Sequence, residues 1–130
     1  MDILLVDDEL DFIEPLAQRL RLRGYKARFA TNGEALLDQL AKSPPDVLVL
    51  DWGMPGLSGP ILLERIHTGW PTLPLVILSG YNTPKGLRQE NWPQIREVLT
   101  KPLHFDGFLE ILEGVCPSRG NTVPQQGDNA

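Results

Sequence analysis

Short aliphatic runs alternate along the chain with longer segments of mixed polarity. Three of the runs are unbroken, which is typical of parallel strands covered on both faces, and they occupy residues 3–6, 47–50 and 75–78. In a fourth run, residues 25–29, apolar positions alternate with Lys26 and Arg28. Alternation of this kind predicts a strand at the edge of a sheet. A fifth and weaker strand is predicted at residues 98–100.

Apolar residues spaced three and four positions apart predict helices between these strands. The predicted helices cover residues 12–22, 34–41, 61–67 and 105–112. Asp11 with Glu14, and Thr31 with Glu34, have the spacing of a helix-capping residue followed by an acid, and they predict where the first two helices begin. Pro15 would then lie in the first helical turn or just beyond it.

Two stretches lack a regular pattern. Prolines and glycines interrupt residues 80–96, so any helix there should be short. Val123 is the only branched aliphatic residue in residues 117–130, which therefore cannot bury enough apolar surface to become ordered. We expect one domain over residues 1–116, followed by a disordered tail or linker.

The alternation of strands and helices predicts an α/β fold. Its parallel sheet would carry helices on both faces, joined by right-handed crossovers. With the unbroken runs in the centre and the alternating run at an edge, five strands fit the order 2-1-3-4-5, the flavodoxin-like form of the doubly wound sheet. Ligands bind such a sheet at the carboxyl ends of its strands, near the first and third.

Composition and charge narrow the functional classes. A chain of 130 residues, 42% hydrophobic and 22% charged, is typical of one soluble globular domain. Its 12 Lys and Arg against 17 Asp and Glu leave a net charge of -5, which argues against nucleic-acid binding by this chain alone. With no membrane-spanning run and no secretory signal after Met1, we expect a cytoplasmic protein. The single cysteine, Cys116, is interpreted as an ordinary thiol.

Polar residues directly follow four of the predicted strands. They are Asp7 and Asp8 after the first strand, Asp51 after the third, Ser79 after the fourth and Lys101 after the fifth. Any one of them alone is as well explained by a turn or a helix cap. Because the carboxyl ends of parallel strands meet at one edge of the sheet, the five together predict a functional site.

The three acids of this group indicate a metal site. Carboxylates packed together repel one another, so at least one should have a raised pKa unless a cation is bound. Oxygen ligands with room for water suit Mg²⁺ better than zinc. His67 and His104 lack ligand spacing and are interpreted as surface or packing residues.

Four motifs together resemble the receiver domain of bacterial two-component response regulators. They are the acid pair Asp7 and Asp8, the segment DWGMPGLSG at residues 51–59, Ser79 followed by Gly80, and Lys101 followed by Pro102. The resemblance covers about residues 2–114 and implies the same doubly wound fold.

The resemblance also implies a role for each acid. Asp51 would be the nucleophile that accepts a phosphoryl group from a sensor histidine kinase, a phosphotransfer protein or a small acyl phosphate. Asp8 would bind Mg²⁺ directly and Asp7 either directly or through water. Asp51 and the backbone carbonyl of Gly53 would complete the protein ligands.

The remaining site residues would support the phosphoryl group. Lys101 would pair with one of its oxygens, and Ser79 would donate a hydrogen bond to it. Met54 and Pro55 would shape the loop after the phosphoacceptor, and Pro102 would hold the turn at the lysine through a cis peptide bond.

The same resemblance implies that the chain would be a switch and not a conventional enzyme, although it would assist its own phosphorylation and dephosphorylation. The added charge would draw the Ser79 loop and Lys101 inward and change a face that contacts a downstream protein or a fused output domain. Val98 stands where many relatives carry Tyr or Phe, so switching here would not use an aromatic at that position.

Trp92 is interpreted as packing against its own domain, with a partner anchor as the alternative.

Three other protein classes are alternatives to a receiver domain. A pseudo-receiver would share the fold but act as a constitutive interaction module. A haloacid-dehalogenase-type phosphatase would use Asp7 as its nucleophile, but it requires an aspartate where this chain has Glu9. A flavodoxin-like cofactor binder would need a phosphate loop rich in Gly, Ser or Thr after the first strand, and none follows.

Overall fold

Five parallel strands form one sheet in the computed structural model, which describes residues 1–54, 59–80 and 92–115. Within those residues the elements are β1 (Asp2–Val6), α1 (Leu10–Leu22), β2 (Lys26–Ala30), α2 (Gly33–Lys42), β3 (Val47–Asp51), α3 (Gly59–Gly69), β4 (Leu75–Ser79), β5 (Ile95–Thr100) and α4 (Phe105–Val115). The predicted elements are all present, and the helices extend beyond their predicted bounds by up to three residues.

The strand order is β2-β1-β3-β4-β5, which confirms the predicted doubly wound topology. β1 pairs on one side with β2 and on the other with β3, so that Ile3 lies opposite both Ala27 and Val47. The alternating strand β2 lies at an edge, as predicted, and β5 forms the other edge.

Successive residues of the central strands face opposite sides of the sheet, and both sides are covered. Ile3 and Leu5 belong to a core cluster shared with α1 and α4, whereas Leu4 and Val6 belong to one shared with α2 and α3. Both faces of β1 are therefore buried, which is why its sequence reads as an unbroken aliphatic run.

The predicted caps of the first two helices are wrong. The N-cap of α1 is Glu9, and Asp11 lies within the first turn. The N-cap of α2 is Asn32 instead of Thr31, because its extended backbone lets the side-chain oxygen accept a hydrogen bond of 2.8 Å from the N–H of Ala35. Pro15 lies inside α1, just beyond the first turn, as expected.

β5 begins at Ile95, three residues before its predicted start. Arg96 and Glu97 are exposed and hide the strand pattern, and the register shifts where β4 passes from Leu75 to Val76. The end of the stretch that was predicted to be irregular is thus a strand. The predictions for residues 81–91 and for the tail at 117–130 lie outside the described residues.

Among the described residues, no helix combines the length and the apolar character that crossing a membrane requires.

Candidate functional site

Three carboxylates meet at the carboxyl edge of the sheet. Asp7 follows β1 and Asp51 ends β3, and the pairing of these two strands brings both residues together with Asp8. One carboxylate oxygen from each of the three lies within 4.8 Å of the others. Within the part of the chain that the structure describes, this is the one group of three or more metal-ligating side chains so placed.

Asp7 is fully buried, and both of its carboxylate oxygens have partners. Oδ1 accepts a hydrogen bond of 2.9 Å from the backbone N–H of Glu9, and Oδ2 accepts one of 2.7 Å from the ammonium group of Lys101. The backbone N–H of Asp7 donates to the carbonyl of Ala30 at 3.2 Å, which continues the pairing of the first two strands. Asp7 is therefore held rigidly, whereas Asp8 is exposed.

Lys101 supplies the positive charge of the site. Its Nζ lies 2.7 Å from Asp7 Oδ2, 3.1 Å from Glu9 Oε1 and 3.7 Å from Asp51 Oδ1. The same nitrogen lies 4.6 Å from the centre of the Phe12 ring, which is within range of a cation–π contact.

The backbone at the end of β5 fixes where Lys101 begins. Its N–H donates to the carbonyl of Ser79 at 2.9 Å, and the peptide bond to Pro102 is cis, as the resemblance implied. Ser79 itself ends β4, is buried, and pairs with Thr100 in the sheet. The expected site residues of the fourth and fifth strands thus share the edge that carries the acids.

The like charges of the clustered acids affect the pKa values of the site. Burial raises the pKa of Asp51, and the neighbouring charge of Asp7 raises it further, while Lys101 and the N–H of Gly53 offset only part of the rise. Burial alone would lower the pKa of Lys101, but its hydrogen bonds to Asp7 and Glu9 outweigh burial, so that the pKa is raised. The raised pKa of Lys101 keeps its ammonium group charged beside the acids.

The donor set fits Mg²⁺. All three side chains offer carboxylate oxygens, which hard cations prefer, and a cation would relieve the repulsion that raises the pKa of Asp51. The backbone N–H of Gly53 lies 3.4 Å from Asp51 Oδ1, so the start of the following loop stays beside the acids.

The other expected positions are distributed around this centre. Met54 is half-buried and packs against the core cluster shared with α2 and α3, as does Val98 on β5. Pro55 lies outside the described residues.

Trp92 and the two histidines lie away from the acids. Trp92 is half-buried against the same core cluster and meets the His67 ring edge-on at 6.5 Å between ring centres, in agreement with its interpretation as a packing residue. His67 is hydrogen bonded through Nδ1 to the buried side chain of Gln94 at 3.0 Å. His104 is exposed, and its carbonyl accepts a hydrogen bond from Phe108.

Sequence reasoning missed three residues next to the site. Glu9 and Phe12 both contact Lys101, although neither follows a strand directly. Trp52 donates its backbone N–H to Leu78 at 2.8 Å, and its indole ring lies so close to Gly59 that a Cβ there would come within 2.7 Å of it. The third acid in the sequence Asp7-Asp8-Glu9 was the only signal for Glu9.

Comparison with known proteins gives one consistent result. The family model described as the response regulator receiver domain matches residues 3–113. The transcriptional regulatory protein KdpE of Mycobacterium tuberculosis is 35% identical over 121 residues, which are 93% of this chain and 52% of the relative. The transcriptional regulatory protein ZraR of Escherichia coli is 29% identical over 113 residues, 87% of this chain and 26% of the relative. The chain thus spans about half the length of one relative and about a quarter of the other.

Solved structures agree in fold. The crystal structure of the receiver domain of NtrX from Brucella abortus matches with a TM-score of 0.79 and 28% identity, covering 90% of this chain and 99% of that one. A putative response regulator from Chloroflexus aurantiacus matches with a TM-score of 0.75 and 28% identity, covering 88% and 95%.

Proposed function

Because the chain belongs to the response regulator receiver domain family, a family of phosphoacceptor switches, we propose that Asp51 is its phosphoacceptor. The donor would be a sensor histidine kinase or a phosphotransfer protein. The observation that carries the proposal is the position of Asp51, which is 8% exposed, lies beside two further acids, and has the Lys101 ammonium group 3.7 Å away.

The reaction uses the Asp51 carboxylate as a nucleophile. One of its oxygens forms a bond to phosphorus while the bond from phosphorus to the donor breaks, whether that bond leads to a histidine nitrogen or to the oxygen of a small acyl phosphate. The electron pair of the broken bond stays with the donor, which then takes a proton from solvent where it needs one. Attack requires the ionised carboxylate, which burial and the charge of Asp7 disfavour and which a cation bound to the acids would favour.

The acids would bind the metal ion, and the lysine would bind the phosphoryl group. Asp7, Asp8, Asp51 and the carbonyl of Gly53 would hold Mg²⁺, which when bound neutralises charge on the carboxylates and on the transferring phosphoryl group. Lys101 would pair with a phosphoryl oxygen as a point charge, and the Ser79 hydroxyl would donate a hydrogen bond to another.

The loops around the acceptor would convert this chemistry into a signal. Phosphorylation adds about two negative charges beside Lys101 and Ser79, and we propose that both side chains follow that charge. Met54 and Pro55 would shape the loop after Asp51, and Pro102 would hold the turn at Lys101. With Val98 in place of an aromatic, the change would reach the partner surface through the strand ends and their loops.

The downstream partner would be a separate protein or a fused output domain. Relatives named as transcriptional regulatory proteins are about two to three times as long as this chain, which supports a fused output domain as one arrangement. The chain would not turn over an external substrate, although it would assist its own phosphorylation and dephosphorylation. Its cytoplasmic location stays a prediction.

Intact mass tests the acceptor directly. Wild type and Asp51→Asn are incubated with Mg²⁺ and a small acyl phosphate, with Asp38→Asn as a control that makes the same change at an exposed acid on α2. We expect wild type and Asp38→Asn to gain one phosphoryl group, and the gain to be absent in Asp51→Asn and in the presence of a chelator.

The opposite result would change the assignment. If wild type binds Mg²⁺ but gains no mass, the chain acts as a constitutive interaction module. Gain of mass in Asp51→Asn would instead point to another acceptor. Asp7 has little support in that role, because both of its carboxylate oxygens are already engaged.

A further inference from the structure

Glu9 shares the ammonium group of Lys101 with Asp7. Its Oε1 lies 3.1 Å from Lys101 Nζ, whereas Asp51 Oδ1 lies 3.7 Å away and outside hydrogen-bond range. We propose that Glu9 is a positioning residue that holds Lys101 back from Asp51 in the unphosphorylated protein and thereby weakens phosphoryl binding. The proposal rests on the function assigned above to Asp51 and Lys101.

The backbone of Glu9 is fixed by the start of α1. Its N–H donates to Asp7 Oδ1 at 2.9 Å, and its carbonyl accepts from the N–H groups of Phe12 and Ile13, each at 3.0 Å. Glu9 is thus anchored between the acid cluster and the helix, and its side chain starts from a defined position.

The Glu9 side chain does not cap α1. It stands at the N-cap of α1, where a side-chain oxygen ordinarily accepts a hydrogen bond from the first helical turn, but it makes no such bond. The carboxylate reaches instead across 92 positions of sequence to Lys101. The contact with Lys101 thus joins the start of α1 to the residue that follows β5.

The contact competes with a phosphoryl group. The ammonium group has three N–H donors, and Asp7 and Glu9 each take one in the structure. To bind Lys101, a phosphoryl oxygen on Asp51 must attract the same nitrogen and weaken its hydrogen bond to Glu9. The negative charge of the Glu9 carboxylate, which lies close by, also repels the phosphoryl group. The Glu9 side chain is 65% exposed, so solvent screens the pair and its effect on affinity should be about threefold.

Equilibrium binding of beryllofluoride, an analogue of the phosphoryl group, measures this competition without turnover. The titration is made at saturating Mg²⁺ with wild type, Glu9→Gln, Glu9→Asp and Glu14→Gln. Glu14→Gln removes the same charge from an exposed position on α1 and serves as the matched control. Thermal unfolding of each variant verifies that it is folded.

Glu9→Asp separates contact from charge. Aspartate keeps the negative charge but is one methylene shorter and favours the N-cap hydrogen bond, so it should release Lys101. We expect Glu9→Gln and Glu9→Asp both to bind beryllofluoride about threefold more tightly than wild type, and Glu14→Gln to match wild type.

Each other outcome overturns the proposal. Unchanged or weaker binding by Glu9→Gln would show that Glu9 does not restrain Lys101. Tighter binding by Glu9→Gln with wild-type binding by Glu9→Asp would show that charge acts without the contact. Failure of wild type itself to bind beryllofluoride would be a different result, because it would remove the proposed function of Asp51.

Discussion

The ammonium nitrogen of Lys101 lies 2.7 Å from Oδ2 of Asp7, and this pair joins the last strand of the sheet to the first. Asp7 is fully buried, and the Lys101 side chain is 19% exposed. An isolated charge at the position of Asp7 would be poorly solvated, so the burial of Asp7 depends on Lys101.

Lys101→Met should therefore destabilise the metal-free protein. Methionine keeps most of the length of the side chain but leaves Asp7 without its cation, and breaking a buried pair from one side costs about 3 kcal/mol. Urea unfolding in a chelator measures the loss, and added Mg²⁺ should restore part of it by binding only the folded state. Lys26→Met, at an exposed position on β2, is the control. Equal stability of wild type and Lys101→Met in the chelator would contradict the dependence.

Asp51→Asn should have the opposite effect on the metal-free protein. It removes a buried charge that Asp7 repels, and we expect a gain of about 1 kcal/mol at neutral pH, within the usual range of single substitutions. Thermal unfolding in a chelator measures the gain. Mg²⁺ should raise the Tm of wild type more than that of Asp51→Asn, because the variant has lost one ligand. A variant no more stable than wild type would show that the acids do not repel one another as described.

The advantage of Asp51→Asn should depend on pH. Since the pKa of Asp51 is raised in the folded state, the folded protein binds this proton more tightly than the unfolded chain does. The stabilisation that this tighter proton binding provides is fully present at pH values below the pKa of Asp51 in the unfolded chain. It is lost as the pH rises through the pKa of Asp51 in the folded protein. The difference between wild type and variant in the chelator should therefore shrink as the pH falls below that folded pKa. A difference that does not vary with pH in this range would contradict the assignment of the shift to Asp51.

Tyr25→Phe should reduce the loss of stability that the protein undergoes as the pH rises above 10. Tyr25 donates a hydrogen bond to Oε2 of Glu113, and burial together with this carboxylate raises the pKa of Tyr25 from 10.0 to about 12. The folded state thus keeps a proton that the unfolded chain releases, so this contribution is present below pH 10 and is lost as the pH rises toward 12. The free energy of unfolding, measured with denaturant at pH values across that range, should fall less steeply with pH in Tyr25→Phe than in wild type.

Absorbance of tyrosinate provides the matching observation for Tyr25. The chain has two tyrosines, so the difference between the titrations of wild type and Tyr25→Phe isolates this side chain. A difference curve centred near the ordinary value of 10.0 would contradict the bond to Glu113.

Gly59→Ala should displace the Trp52 ring. A Cβ at this position would lie 2.7 to 2.8 Å from three atoms of the Trp52 ring, so the ring next to Asp51 must move. Crowding of this kind costs about 1–3 kcal/mol, and tryptophan fluorescence should change with it. Gly107→Ala, where a Cβ meets nothing within 4 Å, is the control and should be neutral or stabilising. Unchanged stability and fluorescence in Gly59→Ala would contradict the packing of Trp52 on Gly59.

The strand order and the clustering of the acids were predictable because each followed from a local pattern. Unbroken aliphatic runs occur where both faces are buried, and Asp7 and Asp51 come directly after such runs. The parallel fold then places them together without any knowledge of the loops.

What escaped prediction depends on geometry that the local pattern does not encode. Glu9 is one exposed acid among several, and only the position of Lys101 makes it a partner. Asn32 and Thr31 are both good capping residues, so the choice between them depends on where the helix starts. Gln94 reads as an ordinary loop residue, yet its buried amide donates to the carbonyls of Trp70 at 2.7 Å and Leu73 at 2.9 Å.

The bond between Lys101 and Asp7 spans 94 positions of sequence, and it has a consequence during synthesis of the protein. A ribosome makes the three acids within the first half of the chain, but the lysine that partners Asp7 follows only after β5 has emerged. Until then Asp7 lacks the ammonium group that partners it in the folded protein. The five-stranded sheet and the pair of Lys101 with Asp7 therefore both require the chain through β5, and a truncated chain that ends before β5 would lack both.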